Sequence, residues 1–216
     1  GEPGTINLLR LRDAEASFVP QNSNDRPQLL LNRGDIIIPG WPKLRLDRSH
    51  IEFGGDKTAD IVGMRFKHET DNKGSLALRG TLSLFAPDQP STLEVQLESF
   101  PVSGIAGEEF GRLFSGRIDT VPAVASNYLA LTPGAGLVPS LTLSATFSNS
   151  IATEFEVSRF PFLFELARLL NDEWYRHPAF DSEISGVLRR AEGNVTIENI
   201  NIENKGRMAI RGNLSM

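Results

Sequence analysis

The 216-residue chain carries 27 Asp and Glu against 22 Lys and Arg, a net charge of −5, with 40% hydrophobic residues and no cysteine. That is enough chain for one large β-rich domain or two small ones with a buried core, while the acidic balance and scattered basic residues exclude a phosphate-neutralising nucleic-acid surface. The lack of cysteine excludes disulfides, thiolate metal sites and cysteine nucleophiles, and suits either the cytosol or a bacterial periplasm.

Period-two alternation, the strand signal, runs through most of the chain. The N-terminal third reads as strands at Ile6–Arg12, Glu15–Val19, Leu29–Leu31, Asp35–Ile38, Lys43–Leu46 and His50–Phe53, separated by polar turns such as Pro20–Pro27. A hairpin follows: a strand at Asp60–His68, a turn at Asn72-Lys73-Gly74, and a strand from Leu76 to Leu84. On that last strand Leu76, Leu78, Leu82 and Leu84 share the apolar face, Ala77, Arg79, Thr81 and Ser83 the other, and Gly80 interrupts the apolar row. A mid-strand glycine marks a bulge, a bend or a close backbone approach.

"LEVQLESFP" (Leu93–Pro101) is the next strand and ends in Phe-Pro. A short helix over Ile105–Phe114 follows, then Ser115-Gly116 leads into "RIDTV". Thr132–Pro139 reads as a loop. The order then recurs: "TEFEVSRFP" (Thr153–Pro161), a helix, and Ser185-Gly186 leading into "VLRRAEG". Proline suits the first helical position because its missing N–H would be unpaired there anyway. This second helix carries an apolar stripe of Phe162, Leu163, Leu166, Leu169, Leu170 and Trp174. Arg168–Asp172 and Asp172–Arg176 stand at i, i+4, and Pro178 ends the helix. Its most apolar run, Phe160–Leu170, is broken by Glu165 and Arg168, so no membrane-spanning segment is expected, and no secretory signal is visible.

The last hairpin joins Val195–Glu203 to a strand ending at Met216 through Asn204-Lys205-Gly206, with a change of phase that places a bulge near Asn199. Met208, Ile210, Leu214 and Met216 lie on one face, Ala209, Arg211, Asn213 and Ser215 on the other. "NKGRMAIRGNLSM" matches "NKGSLALRGTLSL" at eight of thirteen positions, 132 residues apart, where unrelated segments would match at roughly one. The expected architecture is therefore mainly β, an α+β domain. It is a meandering, largely antiparallel, curved sheet of repeated hairpins, with two short helices on its apolar face. One domain spans 1–216, with N-terminal strands over 1–59 and approximate repeat units at 60–120 and 141–216.

No catalytic constellation stands out. His50, His68 and His177 lack partners at metal-ligand spacing, and no G-x-S-x-G elbow occurs. Ser103–Gly111 lacks the lysine and hydroxyl of a phosphate loop. Glu108-Glu109 and Asp181-Ser182-Glu183 read as solvated acidic pairs, and the sequons at Asn194 and Asn213 lie in strands. Neither an enzyme, a cofactor nor a metal is expected.

From Leu141 to Met216 the chain resembles the AsmA-like family of bacterial envelope proteins, which includes TamB. The likeness is carried by Gly193, Val195, Ile197, Ile200, Ile202, Gly206, Met208, Ile210, Gly212 and Leu214, with a weaker second copy over Leu76–Thr120. The resemblance implies a periplasmic body, anchored to the inner membrane by a segment absent from this chain, that handles or transports lipid or maintains the outer membrane. It also implies a phospholipid or other acyl lipid as partner, and possible envelope protein partners. Leu76, Leu78, Leu82, Leu84, Met208, Ile210, Leu214, Phe162, Leu166 and Leu170 would then face lipid. The plainer reading packs the same residues as core beneath the helices, in a structural or protein-interaction module without lipid.

Overall fold

A strand whose side chains alternate between core and solvent pairs most simply with a neighbour alternating in the same phase, and the hairpin signals supply that neighbour in turn. A computed structural model describes residues 10–20, 26–37, 43–54, 58–68, 71–83, 90–108, 116–121, 127–132, 138–148, 161–176, 184–191, 194–204 and 206–215. It shows one open, curved, antiparallel sheet. Its first five strands are β1 (Arg10–Val19), β2 (Gln28–Ile37), β3 (Leu44–Phe53), β4 (Thr58–His68) and β5 (Ser75–Ser83), followed by β6 (Ser91–Glu98) and the two-residue β7 (Phe100–Pro101). A single helical turn, α1 (Ser103–Ala106), leads to β8 (Arg117–Thr120), β9 (Tyr128–Thr132) and β10 (Val138–Ser148). Then come α2 (Pro161–Leu170), a 3-10 turn at Glu173–Arg176, β11 (Ile184–Ala191), β12 (Asn194–Asn204) and β13 (Met208–Ser215).

Neighbours along the sheet run β1-β2-β3-β4-β5-β6-β9-β10-β11-β12-β13, with β8 paired to β10 and β7 to β8. Both β8 and β9 pair with β10, at Ala145–Ser148 and Val138–Thr142 respectively, so two short strands share one strand's place between β6 and β10. Polar side chains close the gap between them. The buried Thr120 hydroxyl accepts the Leu97 N–H at 3.1 Å, and Asn127 Oδ1 accepts the Ser144 N–H at 2.7 Å. Backbone groups left without ladder partners are thereby satisfied.

The N-terminal third departs from expectation. The six short strands expected there are three continuous ten-residue strands, with Ile6–Leu9 and Ile38 outside the described residues. Asn32-Arg33-Gly34 and Asp47-Arg48-Ser49 look like turns by composition, yet the ladder passes through them. Arg33 pairs with Glu15 across the strands, also as an ion pair of 2.9 Å, and bulges absorb the misfit between Arg12 and Ala16 and between Leu46 and Arg48.

Both expected hairpins form. In the first, Ile61 faces Gly80 and Met64 faces Leu78, so Val62 and Gly63 oppose Arg79 alone. In the second, Glu198 and Asn199 oppose Asn213, and Asn199 takes a left-handed φ of 55°. The bulge lies where the phase change placed it.

The two matched glycines differ in what surrounds them. Gly80 has φ 137°, and a Cβ there would come within 2.9 Å of the Thr92 carbonyl oxygen on β6. Gly212, on the outermost strand, would meet nothing within 4 Å. Gly80→Ala is therefore expected to cost roughly 1–3 kcal/mol, and Gly212→Ala no more than about 0.5 kcal/mol, read as the shift in urea-unfolding free energy. Equal costs would contradict this account of the duplicated strand.

Candidate functional site

The sheet's two-residue period collects its apolar side chains on one face. Leu31, Leu46, Phe66, Leu76, Val95, Leu143, Leu188 and Ile197, from β2 through β12, are all buried in a single cluster. A sheet face of this kind must be covered, and the chain covers its centre itself. After β6, Ser99 takes a left-handed φ of 44°, the ladder resumes with Phe100 and Pro101 opposite Ile118 and Arg117, and the chain then leaves the sheet for α1. Phe100, Val102, Ile105 and Ile118 follow, and each is at most 1% exposed.

Polar groups fasten this cover. Ser99 N–H donates to Asp119 Oδ1 at 2.6 Å, while Arg117 donates to the Ser99 carbonyl at 2.6 Å and to Asp71 Oδ2 at 2.5 Å. Partial burial by itself would raise the Asp71 carboxyl. The Lys73 N–H and the Arg117 guanidinium outweigh that and hold it below the usual carboxylate range. Arg190, buried beneath α1, donates to the Ile105 carbonyl. Burial lowers its pKa from the usual very high value, but a guanidinium stays charged at any physiological pH. Gly104 lies so close to Phe100 and His68 that a Cβ would reach within 2.6 Å and 2.8 Å of those rings. His68 is a packing residue here, edge-on to Phe100.

The expected helices are altered. The first begins at Ser103, so Pro101 lies in β7 and not at the first helical position; residues 109–114 of the expected helix fall outside the described residues. The second does begin at its proline. It stops at Leu170 because Asn171 adopts a left-handed φ of 50° and the Asp172 N–H bonds back to the Ala167 carbonyl at 3.1 Å, a Schellman closure. Pro178 is not what ends it. The break also dissolves the expected i, i+4 pairs: Arg168 pairs with Glu165, Arg176 with Glu173, and Asp172 with Arg207 of the last hairpin at 2.7 Å.

The ten residues expected to face lipid do not form one surface. Leu76 is core and Leu78 packs half-buried against the same cluster; Leu82 is half-buried. Leu84 lies outside the described residues, as does the side chain of Ile210, whose backbone pairs with Ile202. Met208 and Leu166 belong to a second, smaller cluster around Leu163, Ala167 and Tyr175. Leu214, Phe162 and Leu170 are exposed, at 36%, 50% and 57%. Thus α2 buries only the middle of its apolar stripe, and Leu169 at 72% and Phe164 at 45% join the uncovered part. The covering segment Val102–Ala106 carries no site signal in the sequence beyond the Phe-Pro that precedes it.

His177, Asp181–Glu183 and the strand expected over Thr153–Phe160 lie outside the described residues. Among the described residues, no three His, Asp or Glu side chains group as metal ligands. No helix among them is long and apolar enough to cross a membrane. No family model, curated protein or solved structure matches the chain.

Core and exposed positions separate by mutation. Leu76→Ala is expected to lose roughly 2–5 kcal/mol through cavity formation, and Leu170→Ala no more than about 0.5 kcal/mol, by urea titration. Asp71 provides a pH test. A carboxyl depressed by folding contributes stability that is present above its unfolded pKa and is lost as pH falls through its lower folded pKa. Asp71→Asn should therefore cost on the order of 1 kcal/mol at neutral pH, and the gap from the parent protein should close below the ordinary carboxylate range.

Proposed function

We propose that this chain is a non-enzymatic, lipid-handling β segment of the AsmA-like envelope kind, working in the periplasm and holding acyl chains against apolar surface. One observation carries this reading: Phe162, Phe164, Leu169 and Leu170 are 45–72% exposed on a single ten-residue helix. Soluble proteins seldom concentrate large apolar side chains in this way without something to cover them. Leu214, also exposed, lies on β13 two positions from the matched Gly212. Each buried methylene contributes about 0.8 kcal/mol, so a sixteen-carbon chain offers on the order of 12 kcal/mol before the costs of association. The mechanism is partition and release, with no bond made or broken.

A second reading has its own support. The apolar face is closed at its centre, where Val102, Ile105 and Ala106 pack with sheet residues such as Phe100 and Ile118 in one buried cluster. Among the described residues, β13 pairs only with β12, which leaves one edge free to receive a strand from a protein partner.

Organic extraction of the purified protein followed by mass spectrometry separates the two. Co-purifying phospholipid, lost in a Leu169→Glu/Leu170→Glu variant that still unfolds at the parent's urea midpoint, is the expected result. A lipid-free parent that is stable and monomeric would overturn the lipid reading in favour of the interaction module.

A further inference from the structure

The face of the sheet opposite the core carries a feature that acyl handling does not use. Arg48 on β3 stands directly across from Arg65 on β4, and Arg65 directly across from Ala77 on β5. Arg79, two residues further along β5, is the diagonal neighbour of Arg65. Like charges facing each other across strands are destabilising, and this chain has acids enough to avoid the arrangement. All three arginines line one open depression of ≈ 310 Å³, where Glu98 is the only acid among the described lining residues. The bulge at Val62-Gly63 and the short side chain of Ala77 make room between them.

The arginines are differently engaged. Arg65 is held by Ser75 at 3.1 Å and by Glu98 at 3.7 Å. Arg48 and Arg79 make no ion pair or side-chain hydrogen bond among the described residues, although Glu94 faces Arg79 in register. His50 lines the same depression. Its Nε2 lies 3.6 Å from Glu52, beyond hydrogen-bond reach, and has no other partner.

We infer that Arg48, Arg65 and Arg79 form a binding site for a phosphomonoester dianion on the outer face of β3–β5. Glu98 is set against Arg65 and Glu94 stands across from Arg79 without pairing to it, so the three guanidinium groups outnumber the nearby carboxylates. The unpaired planar forks of Arg48 and Arg79 suit phosphate oxygens. The cluster is local in an acidic molecule, so it fits a small anion and not a polyanion. The site lies on the other face from the acyl-binding surface proposed above and does not depend on it.

The test is calorimetric titration of the whole chain with inorganic phosphate, alongside flotation with phosphatidylcholine vesicles with and without phosphatidic acid. Saturable binding that weakens with added salt, and drops about tenfold or more in Arg48→Gln/Arg79→Gln, is expected. Arg211→Gln, on the distant β13, should leave it unchanged. The double variant should keep or raise the parent's urea midpoint, because it relieves like-charge repulsion. That separates a lost site from a lost fold. Binding to inorganic phosphate without selective flotation identifies a soluble phosphate compound; flotation only with phosphatidic acid identifies a lipid headgroup. No binding in either arm, or equal binding by the double variant, overturns the site.

Discussion

An open antiparallel sheet with one apolar face can bury that face with its own chain only by leaving the ladder somewhere, and here the chain kinks at Ser99 and departs after Pro101. Past the left-handed Ser99, Phe100 and Pro101 pair with β8, and Val102, Ile105 and Ala106 then pack into the core cluster. The N–H of Ser99 is held by Asp119 and its carbonyl by Arg117, which also pairs with Asp71 in the turn after β4. Other features follow from this detour. The space it leaves between β6 and β10 is too irregular for one strand, so β8 and β9 each fill half. Thr120 and Asn127 are buried there despite their polarity, since they satisfy the backbone groups that the division leaves over.

The duplicated hairpin shows how far one sequence can be reused when its surroundings change. Leu76 and Met208 are equivalent positions, yet the first is buried in the main core and the second is half-covered by α2. Leu82 is half-buried whereas its counterpart Leu214 is exposed. Arg79 and Arg211 remain on the solvent side in both copies. The difference is one of neighbours: β5 is flanked by β4 and β6, while β13 has only β12 beside it among the described residues. Apolar side chains that are core in a central ribbon become surface in an outer one, without any change in pattern.

That explains what was legible in the sequence. Alternation is a local property, and it marked both hairpins and the bulge at Asn199. It also split three N-terminal strands into six, did not show the strand Tyr128–Thr132, and gave Val138 and Pro139 to a loop although they pair with Thr132 and Leu131. Composition misled where polar residues sit inside a strand, because Arg33 and Arg48 take part in ladders whose other halves are remote in sequence. Helical periodicity carried α2 past its true end, since a single left-handed asparagine outweighs a continuing apolar stripe. Sites were least legible. Arg48, Arg65 and Arg79 lie 17 and 14 residues apart, and only the cross-strand register brings them together. Likewise, the exposure of Leu169 depends on what α2 packs against, which among the described residues is the small cluster with Trp174, Tyr175 and Met208.

The two surfaces singled out here cannot serve one small amphiphile at the same time. The arginine depression opens on the outer face between β3 and β6, while α2 packs at the β13 end through Met208 and Arg207. Five strand-to-strand steps separate β6 from β13 in the sheet order, which at about 4.8 Å per step is roughly 24 Å. The depression and the apolar helix are also separated by the core, which is closed at its centre. A headgroup held by the arginines would leave its acyl chains on the polar side of the sheet, away from α2. Occupancy of one surface therefore leaves the other free, and any coupling between them has to pass through the sheet itself. Such coupling would start in β6, whose alternate residues Gln96 and Glu98 line the depression while Val95 and Leu97 are buried in the core, and would then cross β9 to β12.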